Sequence, residues 1–337
     1  MFNNLSNFMF LTTLIMGTII SISSNSWLGA WMGLEINLLA FIPLLTNLKN
    51  LTSTESSLKY FIIQALASTT LLFTVLISSF HTNQMIDYNP YLSIILNSSL
   101  LMKMGAAPFH SWFPEVIEGL SWMISFVLMT WQKIAPMMLL SYCIHYKFIM
   151  FSIIASILIG SIGGFNQTNL RSLMAYSSIN HLGWMLSSIF ISMSHWLIYF
   201  TFYTIISLSI VSLFYHMNIF YFNQIFCTMN NNPLMKFNLF CNFLSLGGLP
   251  PFTGFLPKWI IIQSLSSMNM TLMTMMVMLT LITLFFYIRL AYPAFMMQST
   301  QISWNNIKNK NLPKFTILLN FFSVFGLILI TSIYLIL

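Results

Sequence analysis

The sequence predicts an all-α, polytopic membrane protein of about eleven transmembrane helices. Of its 337 residues, 58% are hydrophobic and 5% are charged, whereas a soluble domain carries about 25% charged residues. The apolar residues form long continuous runs, which favour membrane-spanning helices over a β-barrel. Four charged side chains nevertheless lie inside these runs: Glu35, Lys103, Lys133 and Lys258.

Runs of roughly 18–24 apolar residues, bounded by turn signals, place the helices. The predicted spans are 8–24, 27–46, 58–80, 90–109, 120–142, 148–165, 172–193, 196–218, 237–264, 270–292 and 315–336. The fourth span ends in Gly105-Ala-Ala-Pro108, and Gly247-Gly-Leu-Pro-Pro251 interrupts the ninth. Lipid-facing helices do not tolerate such breaks, so we expect both of them inside the protein.

The first five spans and the next five have similar lengths, which predicts two five-helix repeats. Because five crossings is an odd number, the second repeat must be inverted in the membrane. We therefore predict a first half-channel repeat at 1–142, an inverted repeat at 143–292, and a loop with a C-terminal transmembrane helix at 293–337. Broken helices at matching positions of two halves indicate a transporter-type site.

Basic residues in the loops predict the orientation of the chain. The side shared with the amino terminus carries Lys49, Lys59, Arg171, Lys236, Lys308, Lys310 and Lys314, whereas the other side carries essentially Lys147. The positive-inside rule places the amino terminus in the cytoplasm or mitochondrial matrix and the carboxyl terminus on the opposite side. Because the net charge of +7 lies mostly in these loops, nucleic acid is not an expected partner.

The charged residues within the spans are the candidate functional residues, since a charge at the bilayer centre costs at least ~2.5–3.5 kcal/mol. Glu35 is the only acid within a span, and Lys103 is its natural partner. At an effective dielectric constant near 20 and roughly 4–6 Å, such a pair couples by about 3–4 kcal/mol. The alternatives are a structural carboxylate for Glu35 and a purely structural salt bridge for the pair.

Lys133 lies near the middle of the predicted span 120–142, too deep to reach water easily. Lys258 follows the second helix break, where free carbonyls and helix dipoles can solvate an ammonium group. His181 lies near mid-membrane and is suited to proton relay near neutral pH. A histidine between packed helices can also be simply a hydrogen-bonded polar group.

Motifs for a nucleotide or a metal are absent from the sequence. It contains no GxGxxG, no Walker A loop and no haem or metal ligand cluster, and its three cysteines lack CxxC spacing. Any redox or ATP-driven chemistry is therefore expected in another subunit.

Four stretches resemble the antiporter-like, proton-translocating membrane subunits of respiratory complex I. They are Lys103-Met-Gly-Ala-Ala-Pro-Phe-His-Ser-Trp-Phe-Pro-Glu115, Trp131-Gln-Lys-Ile-Ala-Pro136, Asn169-Leu-Arg-Ser-Leu-Met-Ala-Tyr-Ser-Ser-Ile-Asn-His181-Leu-Gly-Trp184 and Gly247-Gly-Leu-Pro-Pro-Phe-Thr-Gly-Phe-Leu-Pro-Lys-Trp259. The resemblance covers roughly residues 25–295 in the same order.

The resemblance implies a proton-translocating subunit of NADH:ubiquinone oxidoreductase that contains no redox centre of its own. It implies that other subunits bind NADH, FMN, iron–sulfur clusters and ubiquinone. It carries over a Glu35–Lys103 pair, a central Lys133 and Lys258 on the second broken helix. The implied location is the mitochondrial inner membrane, amino terminus in the matrix and carboxyl terminus in the intermembrane space, with other membrane-arm subunits and lipid, cardiolipin in particular, as partners.

Three other functions remain open from the sequence. A monovalent cation/proton antiporter subunit shares these motifs. A structural membrane subunit would use its charges only to hold helices together. A free-standing secondary transporter would transport ions without NADH.

Overall fold

The computed structural model describes residues 5–47, 50–80, 90–229, 233–296 and 314–336. These residues form fifteen helices and, within the described ranges, no strand beyond one isolated bridge between Asn169 and Tyr221. The helices are α1 (Leu5–Ser23), α2 (Trp27–Leu45), α3 (Leu51–Phe80), α4 (Pro90–Met104), α5 (Trp112–Gly119), α6 (Trp122–Met129), α7 (Trp131–Tyr142), α8 (Tyr146–Gly163), α9 (Leu170–Ile191), α10 (Met193–Met217), α11 (Phe222–Met229), α12 (Pro233–Gly247), α13 (Phe255–Met268), α14 (Met270–Met296) and α15 (Lys314–Ile336).

The helical membrane class is confirmed. Seven helices in the described part of the chain are long and apolar enough to cross a membrane. Polar caps begin several of the helices: the side chain of Ser26 accepts the backbone N–H of Gly29, and that of Asn169 accepts the N–H of Arg171. Such caps satisfy amide groups that a helix end leaves free. The number of eleven crossings stays a prediction.

Two compact units divide the chain, residues 1–156 and residues 157–337. In the first unit α1 packs closely on α2, and α3 contacts α2, α4 and α5. A side chain at Gly33 would lie 2.5 Å from the backbone nitrogen of Ser21. A glycine there lets the two helix backbones approach, as small residues do between membrane helices. Further along, α7 contacts α1, α4 and α6.

In the second unit α10 lies at the centre of the packing. It contacts α9, α12, α13 and α15, while α13 also contacts α9 and α14. Many buried hydroxyls donate hydrogen bonds to carbonyls of their own helices: Ser177 donates to the carbonyl of Met174, and Ser178 to that of Ala175. The unit can therefore bury many serine hydroxyls with their hydrogen bonds made.

Both predicted helix breaks are present. The first helix ends at Met104, followed by Gly105 with φ +71°, and the second ends at Gly247, followed by Gly248 with φ +82°. Glycine adopts this left-handed conformation without the steric cost of a Cβ. The breaks therefore fall where the glycine and proline residues predicted them.

The predicted span 120–142 corresponds to the apolar stretch Trp122–Tyr142, which is long enough to cross a membrane. Within this stretch a turn at Thr130, whose φ and ψ are −116° and −69°, separates α6 from α7. Lys133 consequently lies in the first turn of α7, near the middle of the span. Two short helices lie outside the predicted spans: α5, which contains Glu115 and Glu118, and α11, which lies between α10 and α12.

Candidate proton-transfer sites

Lys103 is held at the carboxyl end of a half-helix. It occupies the last turn of α4 and is 6% exposed. Gln64 Nε2 donates a hydrogen bond to the backbone carbonyl of Lys103 at 3.1 Å. Because the last carbonyls of a helix carry partial negative charge, an ammonium group at this end is favoured.

A small polar cavity adjoins Lys103. Its volume is about 10 Å³, which is room for about one water molecule. Gln132 Nε2 donates to Asn37 Oδ1 at 3.1 Å across this cluster. The cavity is lined by Leu34, Asn37, Leu38, Tyr60, Gln64, Lys103, Gln132 and Pro136. Amides and a phenol thus provide Lys103 with uncharged hydrogen-bonding surroundings inside the first unit.

Glu35 lies half-buried on α2 and acts electrostatically on Lys103. The two do not form a direct ion pair within 4.0 Å; the ion pairs of that length among the described residues join Lys59 to Glu55 at 3.0 Å and to Glu115 at 3.1 Å. Glu35 and Lys103 thus interact electrostatically without forming a direct ion pair.

Lys133 is almost completely buried, with 1% of its surface exposed. Its Nζ lies 5.2 Å from the centroid of the Phe113 ring on α5. An ammonium group over an aromatic face gains a favourable interaction with the ring electrons. Lys133 directly follows Gln132, whose amide lines the cavity beside Lys103.

Lys258 is bound by the preceding half-helix. Its Nζ donates to the backbone carbonyls of Leu246 at 3.2 Å and Gly247 at 2.9 Å, at the end of α12. The same atom lies 5.9 Å from the ring centroid of Trp184. Carbonyls at the end of a broken helix are the groups that bind cations in membrane transporters.

His181 lies on α9 within a cluster of buried phenols. Its Nδ1 is 2.8 Å from the hydroxyl of Tyr199, and its ring centroid is 5.1 Å from that of Tyr203. Tyr203 also shares a hydrogen bond with Ser178. Trp184, which contacts Lys258, follows His181 by three residues and so lies on the same helix face.

The acidic residues are unequally distributed. All five, Glu35, Glu55, Asp87, Glu115 and Glu118, occur before residue 119. The second unit therefore contains no aspartate or glutamate side chain to pair with Lys258. Its buried cation depends on carbonyl dipoles and an aromatic ring.

Sequence reasoning overlooked the neutral groups around the lysines. Gln64, Gln132, Tyr199 and Tyr203 were not singled out, yet each contacts a candidate residue or lines its cavity. The i,i+4 spacing of Tyr199 and Tyr203 inside an apolar run was a usable signal, because a buried phenol requires a hydrogen-bond partner. Among the described residues no group of three or more His, Cys, Asp or Glu side chains could hold a metal ion.

The comparison with known families gives the class of the protein. Residues 24–283 match the family described as NADH:quinone oxidoreductase/Mrp antiporter, TM. This match covers well over half of the chain. The chain therefore belongs to this family of membrane proteins.

A curated relative and two solved structures add to the family match. A protein from Anopheles gambiae named NADH-ubiquinone oxidoreductase chain 2 is 55% identical, over 98% of this chain and 99% of its own. The fold resembles a chain of respiratory complex I from Thermus thermophilus, with a TM-score of 0.75 and 21% identity over 87% of this chain and 71% of that one. It also resembles a chain of the Mrp complex from Dietzia sp. DQ12-45-1b, with a TM-score of 0.75 and 16% identity over 85% of this chain and 59% of that one. These two likenesses establish the antiporter-like membrane fold.

Proposed function

We propose that this chain translocates protons as a membrane-arm subunit of NADH:ubiquinone oxidoreductase. The observation that carries the proposal is that Lys103, Lys133 and Lys258 are each buried beside a helix interruption. Ionisable residues inside a membrane protein are costly and mark ion or proton pathways. The family match and the names of the relatives supply the reaction to which this pathway is coupled.

In the proposed sequence of events, the Glu35–Lys103 pair separates and rejoins in response to a signal from the neighbouring subunits. The change alters the electrostatic potential at Lys133, which passes a proton toward Lys258 through water. At roughly 4–6 Å and an effective dielectric constant near 20 the pair couples by about 3–4 kcal/mol. Moving one proton against ~150 mV costs about 3.5 kcal/mol, so the two quantities match in size.

His181 is proposed as a proton relay in the second unit. Its hydrogen bond with Tyr199 joins two groups that can each donate or accept a proton. Either tautomer of the imidazole can make this contact. The alternative for His181, a packed polar group, requires only that the hydrogen bond persist.

NADH oxidation itself is assigned to other subunits. We propose that NADH, FMN, iron–sulfur clusters and ubiquinone bind elsewhere in the complex, and that this chain contributes no redox centre. Its own contribution is a set of proton-binding side chains whose surroundings change during turnover.

The proposed location is the mitochondrial inner membrane, with the amino terminus in the matrix and the carboxyl terminus in the intermembrane space. Other membrane-arm subunits and lipid, including cardiolipin, are the proposed partners. A cavity of about 570 Å³ supports the proposal of a lipid partner. It is lined by the exposed Arg289 together with Gln167 and Asn223. Basic pockets at the ends of membrane helices accept anionic lipid headgroups.

Proton stoichiometry in the intact complex tests the proposal. Purified complexes carrying Glu35→Gln or Lys103→Met would be placed in liposomes, and the protons moved per NADH oxidised would be measured. We expect both variants to assemble and to oxidise NADH with an artificial electron acceptor at the normal rate, while moving fewer protons. The matched controls are Glu118→Gln and Lys147→Met, which alter exposed residues and should leave the ratio unchanged.

The other functions predict different results. A structural subunit would give an unchanged ratio in every complex that assembles. A cation/proton antiporter would exchange sodium or potassium for protons without NADH. Either result contradicts the proposal.

A further inference from the structure

The C-terminal helix α15 carries a stripe of small and polar residues toward the second helix break. Asn320, Ser323 and Gly326 follow one another at intervals of three and share one face of the helix. Asn320 is 2% exposed and Ser323 is fully buried, whereas the neighbouring Phe321 and Phe322 are about half exposed. The polar face of α15 is thus turned into the second unit, and Phe321 and Phe322 point outward.

The helix before the break, α12, is bound to α15 through Asn242; we call α12 and α13 the two limbs of the break. This residue lies on α12, one turn before Leu246, whose carbonyl accepts a hydrogen bond from Lys258. Asn242 Nδ2 donates to Asn320 Oδ1 at 2.7 Å, and Ser323 Oγ donates to Asn242 Oδ1. Both ends of a fully buried amide are therefore bonded to α15.

The other limb, α13, is bound to α15 through Thr253, which precedes α13 in the chain. Its hydroxyl donates to the backbone carbonyl of Ser323 at 2.7 Å. A side chain at Gly326 would lie 2.6 Å from Thr253 Cγ2, so α15 fits closely against this residue only because position 326 is glycine.

Between these limbs the chain folds back tightly. A Cβ at Gly254 would lie 1.8 Å from the carbonyl oxygen of Ser245, and one at Gly248 would lie 2.9 Å from Lys258 Cδ. The distance between the end of α12 and the first turn of α13 therefore decides whether Lys258 reaches its two carbonyls. Contacts from one helix to both limbs fix that distance, which a contact with a single limb would not do.

We propose that Asn242, Thr253, Asn320 and Ser323 are positioning residues that hold the carbonyls of Leu246 and Gly247 within reach of the Lys258 ammonium group. The inference rests on the proposed role of Lys258 in proton transfer. It gives the C-terminal helix a part in translocation, although α15 itself carries no ionisable side chain at this contact.

A pair of substitutions at Thr253 tests this role in the intact complex. Thr253→Val removes the hydroxyl and keeps the shape, while Thr253→Ser keeps the hydroxyl. In liposomes we expect Thr253→Val to lower the protons moved per NADH by about twofold or more, because misplaced transfer groups lose rate steeply. Thr253→Ser should retain the normal ratio, and so should the control Phe322→Leu on the outer face of α15.

A suppressor pair addresses the possibility that Thr253→Val does not assemble. Gly326→Ala should lower the proton ratio because its new methyl group meets Thr253 Cγ2. Thr253→Ser removes that Cγ2 atom and should restore the ratio in the double variant. Failure of the serine to restore it would overturn the inference.

Lys258→Met, measured in parallel, separates this inference from the proposed function. If Lys258→Met leaves the proton ratio unchanged, the proposed role of Lys258 fails, and the positioning role fails with it. If Lys258→Met lowers the ratio but assembled Thr253→Val does not, only the positioning role is overturned.

Discussion

The two interrupted helices bind their lysines in opposite ways. In the first, Lys103 lies at the end of the leading limb α4, where the helix dipole favours a positive charge. In the second, Lys258 lies in the first turn of the trailing limb α13, where the dipole opposes it. Lys258 compensates by donating back to two carbonyls at the end of α12.

The difference follows from the distribution of acidic residues. The first unit contains Glu35, which acts electrostatically on Lys103, whereas no carboxylate side chain exists beyond residue 118. We therefore propose that the first site changes the energy of its lysine by moving an opposite charge, and that the second does so by changing backbone geometry around Lys258. In this proposal one chain contains a charge-controlled site and a geometry-controlled site.

Exchange of lysine for arginine should produce the largest difference in proton pumping between the two sites. Lys258→Arg keeps the charge but replaces a compact ammonium group with a planar fork that does not fit beside Gly248. We expect it to lower NADH-driven proton pumping by at least about tenfold, since a positioned proton-transfer group contributes roughly 10²–10⁴-fold. Lys103→Arg places a guanidinium group among side-chain amides, whose oxygens accept hydrogen bonds, and should retain most of the pumping. Equal losses in the two variants would remove the distinction between the sites.

Alanine at the two left-handed glycines should have a smaller effect. Gly248→Ala and Gly105→Ala both force a Cβ into a conformation that costs about 1–2 kcal/mol. The methyl group at position 248 displaces Lys258, whereas at position 105 it meets the ring of Phe113, at 3.0 Å. We expect similar losses of thermal stability but a greater loss of pumping for Gly248→Ala, measured on the same purified complexes.

Removal of the Gln64 amide should have a modest effect. Gln64→Leu leaves the Lys103 carbonyl without its side-chain donor, and a net hydrogen bond contributes about 1 kcal/mol. A slightly lower unfolding temperature and a partial loss of pumping are expected. Gln263→Leu, at an exposed position of α13, is the matched control and should change neither quantity.

The smallest effect is expected at Lys59. Its ion pairs with Glu55 and Glu115 are solvent-exposed, and exposed pairs contribute little and are screened by salt. Lys59→Met should assemble normally and pump normally at physiological salt. A loss of pumping here would mean that the functional charges extend beyond the buried lysines.

The sequence predicted the features that depend on local chemistry. Glycine and proline at 105–108 and 247–251 marked the two breaks, and the family resemblance is confirmed by the match over residues 24–283. The break at Thr130 was missed because no glycine or proline lies there; Pro136 is accommodated inside α7. The inverted repeat and the roles of Glu35, Lys103, Lys133, Lys258 and His181 stay predictions.

Side-chain partners were beyond sequence reasoning because they depend on packing between distant segments. The hydrogen bond from Gln132 to Asn37 joins residues 95 positions apart, and that from Thr253 to Ser323 joins residues 70 apart. Each donor is an ordinary polar residue within an apolar run. Only the folded structure identifies which of the many serines, threonines and amides meet a buried lysine or its helix break.

The number of protons moved per NADH in a Lys133→Met complex is the most direct test of the central claim. Lys133 is the most deeply buried of the three lysines and occupies the middle of the proposed sequence. With Lys147→Met as control, we predict a complex that assembles and oxidises NADH with an artificial acceptor at the normal rate but moves fewer protons. An unchanged proton ratio would contradict the claim that the buried lysines carry the protons.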